Sequence, residues 1–242
     1  MGEARTETRR RGRAGRKGLV IAIDGPSAAG KTSVGREVAR RLGYAFLDTG
    51  NIYRALTWLA LRRGVPPDDE GALAALAREA RIGLGPAAPG SPEPSAILVD
   101  GEDVTPHLRA PEVEAVVSQV SKVPAVRQAL LRMQRRLASA GGIVMAGRDI
   151  GTVVLPHADL KVYLDASPGE RARRRYLEAA AQGQGVSLEQ VARDLARRDE
   201  TDSRREAAPL RPAEDAVIVQ TDGLTLAQVV ARVLELVNAR LA

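Results

Sequence analysis

Eight consecutive residues, Gly25-Pro26-Ser27-Ala28-Ala29-Gly30-Lys31-Thr32, have the types and spacing needed to grip a polyphosphate. They fit G-x-x-x-x-G-K-[ST], the phosphate-loop pattern, in which glycines let successive backbone N–H groups converge on an anion. Lys31 is placed to reach the β and γ phosphates, and Thr32 offers a hydroxyl to the accompanying Mg²⁺. Ser33 follows in the first helical turn, whose partial positive end faces the same anion.

A phosphate loop holds one reactant; what gathers opposite it defines the other. Three arginine-bearing clusters qualify: Thr49 to Arg54, Gly147-Arg148-Asp149, and the run from Arg197 to Arg205. Guanidinium forks pair bidentately with phosphate oxygens, and carboxylates accept from sugar hydroxyls or base amines. Together they predict a nest for a second, phosphorylated substrate. No general base stands out, and a phosphate monoester, already anionic, requires none.

These residues need a scaffold that brings distant loops together. The apolar run Leu19 to Ile23 reads as a strand feeding the loop, and Val34, Val38 and Leu42 continue as a helix from Lys31 to Leu42, stopped at Gly43. Further strands are predicted at Tyr44 to Leu47, Gly142 to Ala146, Leu160 to Leu164 and Ala216 to Val219. Helices are predicted from the stripe Ile52, Ala55, Leu56, Leu59, Ala60, from Pro111 to Val123 and from Pro124 to Ala140. Later helices start at the cap patterns Ser167-Pro168-Gly169-Glu170, Ser187 to Gln190 and Thr225 to Gln228. Five strands alternating with helices predict an α/β fold with a parallel sheet covered on both faces, its strand ends sharing one edge. Between Val65 and Ala110 the texture changes to prolines, a short Ala/Leu helix and Ala96 to Val99 before Asp100-Gly101, a small insertion with its own strands.

Length and composition agree. The 242 residues, 44% of them hydrophobic, suffice for one large α/β domain with an insertion. Phe46, Trp58 and four tyrosines are all the aromatics, too few to stack successive bases of a single strand. The net charge of +6 is mostly local: seven basic residues up to Gly18 face only Glu3 and Glu7, leaving 29 basic and 28 acidic residues out of totals of 36 and 30. Residues 1–17 are therefore expected to form a disordered basic leader without a specific nucleic-acid partner. No cysteine is present, so disulfides, thiolate zinc sites and thiol catalysis are excluded. The apolar run before Asp24 is too short for a signal peptide, although the Arg-rich leader leaves a transit peptide open. His107 and His157 have no metal-ligand spacing, and Trp58 reads as packing. A soluble, cytoplasmic monomer without membrane contact is expected.

The combination Asp24-Gly25-Pro26-Ser27, Asp48-Thr49-Gly50-Asn51-Ile52-Tyr53-Arg54, Gly147-Arg148-Asp149-Ile150-Gly151-Thr152 and Arg198-Asp199 to Arg205 resembles the bacterial cytidylate kinases, in order and from Gly18 to the end. The resemblance implies a phosphate-loop NTPase fold with an inserted monophosphate-binding subdomain at 65–110, a core of 18–64 and 111–242, and a lid at about 168–186. It implies transfer of the γ-phosphoryl of ATP to CMP or dCMP with Mg²⁺. By position, Thr49, Arg54, Arg148 and Arg205 would meet the CMP phosphate, Arg198 and Asp202 the ribose, and Ser118, Arg127 and Asp149 the cytosine. Of the lid arginines 171, 173, 174 and 175, which do not share one helical face, Arg171 and Arg175 would meet ATP. Arg174 would act in the transfer with Lys31, Arg148 and Arg205. Many relatives carry an acidic residue just before Gly-Arg-Asp; here it is Ala146, which leaves Thr32, water and phosphates around Mg²⁺, with Asp24 or Asp149 behind a water.

Other acceptors, UMP, AMP or a non-nucleotide, stay open on the residues alone. A nucleotide switch is disfavoured because neither Asn51 nor Asn238 precedes a lysine, so the guanine-reading Asn-Lys-x-Asp is absent. A motor is disfavoured by the near-neutral body and scarce aromatics. An RNA-binding tail on an inactive kinase is a third alternative.

Overall fold

A computed structural model of the chain describes residues 18–91, 93–181, 183, 185–204 and 209–241, without the side chains of 201 and 202. The expected leader, 1–17, lies outside them. Five strands, β1 (Val20–Asp24), β2 (Ala45–Asp48), β6 (Ile143–Ala146), β7 (Leu160–Asp165) and β8 (Val217–Gln220), form one sheet in the order β2-β6-β1-β7-β8. Every neighbouring pair is parallel, so all five strands end at one edge. The alternating pleat of β1 and β6 sorts their side chains between two cores. Val20, Ala22, Ile143 and Met145 enter one. Leu19, Ile21, Ile23, Val144 and Ala146 enter the other, closed by α1 (Lys31–Leu42) and the C-terminal α8 (Leu226–Leu241).

The first core is roofed by α2 (Thr49–Arg62), α3 (Glu70–Glu79), α4 (Pro111–Val120) and α5 (Pro124–Ala138). Between α3 and α4 a second sheet, β3 (Ile82–Pro86), β4 (Ser95–Val99) and β5 (Glu102–Asp103), is antiparallel in that order. The β4–β5 turn places Asp100 and Gly101 at φ 52° and 91°, the left-handed pair a tight hairpin requires. Apolar side chains of this sheet, Ile82, Ile97 and Val99, join the same core as Leu47 and Ile52. Its polar ties to the main body include a bond from Phe46 N to Ser95 Oγ (3.2 Å) and ion pairs of Arg36 with Glu93 and of Arg63 with Asp100.

The remaining helices are α6 (Pro168–Ala181) and α7 (Leu188–Ser203). Three predicted caps form: Ser167, Ser187 and Thr225 accept from Glu170 N, Gln190 N and Gln228 N. Only Thr225 has the reciprocal half, its N–H donating to Gln228 Oε1. Glu170 instead turns along α6 to pair with Arg173 and Arg174, the stronger partners for a carboxylate. The two proline-led helices stop at Val120 and Ala138, two to three residues short of expectation, where each chain end bends toward Pro124 or Gly141. Trp58 is 8% exposed and stacks on His107, as packing.

Candidate active site

The loop between β1 and α1 is fixed by backbone crowding. A Cβ on Gly25, at φ 146°, would stand 2.1 Å from the carbonyl oxygen of Leu164 on β7, so only glycine lets the chain leave β1 there. Ala28 is held at φ 60°, a left-handed conformation that a non-glycine residue adopts at a cost of about 1 kcal/mol or more. Lys31 is 7% exposed and donates to the loop's own Pro26 carbonyl at 2.6 Å. Burial, then the neighbouring Arg148, drive its pKa well below the ordinary lysine range, while Asp48 and Asp24 oppose that shift.

Beneath the loop, Asp24 accepts from Ile150 N (2.8 Å) and Gly151 N (2.7 Å), fastening the turn Ile150–Val154 to the end of β1. Burial raises its pKa to about 6 against those two bonds. Both Asp24 oxygens are thus engaged with backbone, and its role is that of an anchor. Asp48, at the end of β2, does two things at once. One oxygen caps α2 through Gly50 N (3.0 Å), and the other accepts from the Thr32 hydroxyl at 2.7 Å. Thr49, 8% exposed, donates from its hydroxyl to Ala146 O at 3.1 Å, tying β2 to β6. A polar cavity of about 250 Å³ adjoins this corner, lined by Thr32, Arg36, Asp48, Asn51, Glu93 and Arg109 among others. A larger open depression of about 470 Å³, near Arg78, Arg81 and Arg136, holds none of the predicted site residues.

Cations close over the loop. Arg148 donates to Ser27 Oγ at 2.8 Å, which places its guanidinium beside the Lys31 loop. Arg171, 7% exposed, donates to Ala166 O (3.1 Å) and Ser27 O (3.2 Å) and pairs with Asp199 of α7. Asp199 also accepts from Ser27 N at 3.4 Å. Arg174 is fixed elsewhere: it donates to the Thr221 hydroxyl (2.9 Å) and carbonyl (2.6 Å) beyond β8. Arg175 pairs with Glu178 at the surface. Of Arg171, Arg174 and Arg175, only Arg171 touches the loop.

On the other side, Arg54 of α2 pairs with Glu114 of α4, and Ser118 lies exposed one turn further along. Arg127 of α5 stands 3.6 Å from Asp149 with its guanidinium 5.6 Å from the centre of the Tyr53 ring, so two predicted base contacts do meet. Arg198 is exposed on α7 and acts electrostatically on both Lys31 and Glu114. Arg205 lies outside the described residues, as does the side chain of Asp202.

The geometry is that of a phosphate-gripping loop facing a second, cation-lined wall. The cytidylate kinase family pattern matches residues 21–239, nearly the whole described chain. The chain belongs to the cytidylate kinase family. It is therefore an enzyme, a phosphotransferase. It is 50% identical over 223 residues to the cytidylate kinase of Geobacillus kaustophilus (strain HTA426), covering 92% of this chain and 98% of that one. It is also 51% identical over 222 residues to a bifunctional pantoate ligase/cytidylate kinase of Synechococcus sp. (strain JA-3-3Ab), of which it spans only 41%. Among solved structures, an uncharacterized protein from Eubacterium ventriosum superposes with a TM-score of 0.50 at 9% identity, covering 92% of this chain and 99% of that one, a likeness of fold alone.

Cytidylate kinase chemistry calls for a divalent cation, and the residues present suit one bound chiefly by substrate. Among the described residues no three His, Cys, Asp or Glu side chains cluster as metal ligands. The Thr32 hydroxyl backed by the Asp48 carboxylate supplies hard oxygen next to Lys31, as Mg²⁺ prefers. Asp48 is not among the site residues expected from the sequence, yet it meets Thr32. Its position at the end of a parallel strand was the available signal. Tyr53 and Asp199 lie within the clusters named above without having been given a role, and Glu114 lies in no motif, so nothing in its spacing sets it apart from a surface residue.

Proposed function

We propose that the chain transfers the γ-phosphoryl group of ATP to CMP or dCMP, giving ADP and the corresponding diphosphate. One observation carries this reading beyond family membership: Arg148 bonds Ser27 at the rim of the Lys31 loop, so a cation stands where a loop-bound triphosphate would meet an acceptor. Two polyanions approach each other only if their repulsion is cancelled, and positioning with charge neutralisation is the main catalytic task here.

In this reading residues 25–33 and Arg171 hold ATP, and Lys31 releases the Pro26 carbonyl to take the γ-phosphate. Thr49, Arg54, Arg148 and Arg205 hold the acceptor phosphate, and Arg198 with Asp202 the ribose. Asp149, oriented by Arg127, accepts from the cytosine amine, with Ser118 beside it. The acceptor oxygen attacks as it arrives, already ionised, so no side chain removes a proton. Thr32, backed by Asp48, would hold Mg²⁺, which would supply charge neutralisation to the triphosphate. The inserted segment 65–110 is the monophosphate-binding subdomain, and 168–186 the lid, with Arg174 and Arg175 reaching ATP only after α6 shifts. No described helix is long and apolar enough to cross a membrane. We place the enzyme in the cytoplasm as a monomer.

The test is coupled ADP release with ATP, Mg²⁺ and each of CMP, dCMP, UMP and AMP. CMP and dCMP are expected to be best. UMP presents a carbonyl to Asp149 instead of an amine and is expected to be roughly 10- to 100-fold poorer in kcat/KM. Equal values for CMP and UMP overturn the assignment of Asp149, and turnover retained in full by Lys31→Ala overturns the loop's role.

A further inference from the structure

Glu114 is announced by no motif, yet its carboxylate holds one of the cations assigned above to the acceptor. Arg54 donates to it through Nε at 2.8 Å and Nη2 at 3.4 Å, a two-pronged pairing, and Arg109 stands 4.0 Å away. Burial works to raise the Glu114 pKa, and Arg54, Arg109 and Arg198 more than cancel that effect, leaving it below the usual carboxylate value. This is the setting of an anion site with a resident anion.

The two partners are unequally fixed. The Arg54 side chain is 16% exposed, and a Cβ on Gly50 would stand 2.9 Å from its Nη1, so the guanidinium is packed against the start of α2. Glu114 is 41% exposed on the outer face of α4 and can rotate into water without moving backbone. An incoming anion thus meets a guanidinium that stays and a carboxylate that leaves.

We propose that Glu114 is a built-in stand-in for the acceptor's phosphate, occupying Arg54 until a phosphate dianion displaces it. The inference rests on the reading of Arg54 as a phosphate-binding cation. Binding then becomes an exchange of one anion for another. A dianion with three acceptor oxygens wins that exchange, whereas a neutral nucleoside brings no charge to replace the one lost. The residue sets a threshold of charge for entering the acceptor side, at the expense of affinity. A carboxylate that only oriented Arg54 would stay in place and help binding, the opposite sign.

Calorimetric titration of the full chain with inorganic phosphate, and separately with CMP, tests this at low salt. Glu114→Gln keeps the shape and removes the charge; it is expected to bind both ligands about three- to tenfold more tightly than the wild type. Glu114→Ala, which keeps no hydrogen bond to Arg54, is expected to show the same gain, with thermal melting confirming that both variants fold. The gain is expected to vanish in an Arg54→Ala background. Unchanged or weaker phosphate binding by both variants, or a gain that survives Arg54→Ala, overturns the proposal. A wild type that phosphorylates UMP and not CMP defeats the substrate reading alone, because the inorganic phosphate arm does not depend on the base.

Discussion

The two sides of the cleft are built on opposite terms. The phosphate-loop side is backbone and buried side chain: Gly25 wedged under Leu164, Asp24 with both oxygens on main-chain amides, Lys31 and Arg171 each 7% exposed. The opposite side is pairs of charged side chains nearer the surface, Arg54 with Glu114 and Arg127 with Asp149, of which Glu114 is the most exposed at 41%. The first is pre-organised and intolerant of change; the second is adjustable and open to competition. A shared triphosphate donor suits a rigid grip, while discrimination among acceptors suits contacts that form only with the right partner.

The contrast breaks most sharply at Gly25. Gly25→Ala would drive a methyl into the Leu164 carbonyl in a strained φ, and is expected to lower stability by about 3 kcal/mol or more and to abolish ATP binding. Urea unfolding and ATP calorimetry check it; a variant that still binds ATP removes the claim of rigidity. Asp24 gives the next effect. Its folded pKa of about 6 lies above the ordinary aspartate value of 3.8, so its favourable contribution is fully present below about pH 4 and is lost as pH rises through 6. That shift corresponds to about 3 kcal/mol. The stability of the wild type relative to Asp24→Asn is therefore expected to fall between pH 4 and pH 7, followed by denaturant midpoints at each pH.

Two smaller effects sharpen the comparison. Asp48→Asn keeps the cap and weakens the negative charge behind Thr32, and is expected to raise the Mg²⁺ concentration needed for half-maximal turnover by roughly 10-fold. An unchanged Mg²⁺ dependence with an unchanged melting temperature would reduce Asp48 to a cap. Glu93→Gln breaks the pair with Arg36 between the inserted sheet and α1; both side chains are about one-third exposed or less, and the expected loss is under about 1 kcal/mol. A larger loss in the melting curve would mean that the inserted sheet depends on this tether more than on its shared core.

Much of this was legible in the sequence because the signals were local. Five apolar runs became the five parallel strands, the glycine spacing gave the loop, and Ser167, Ser187 and Thr225 capped where expected. What escaped were pairings between residues far apart. Glu114 meets Arg54 across 60 positions, and Asp199, though inside a marked cluster, reaches Ser27 across 172, a pairing that no local pattern states. Asp48 caps α2 by a local rule, whereas its bond to Thr32 needs β2 and β1 to end at the same edge, which no short stretch of sequence states. Likewise the arginine-rich start of α6 did not reveal that Arg174 turns toward Thr221 while Arg171 alone of the group bonds the loop.

Because β1 runs toward the loop, Gly18 sits at the blunt margin of the sheet, a strand's length from any phosphate. The last helix, following parallel β8, runs back and brings Leu241 to that same margin. An affinity handle, a solid support or a fused protein joined at either of these points would approach from behind, and the mouth of the enzyme would stay clear for its nucleotides.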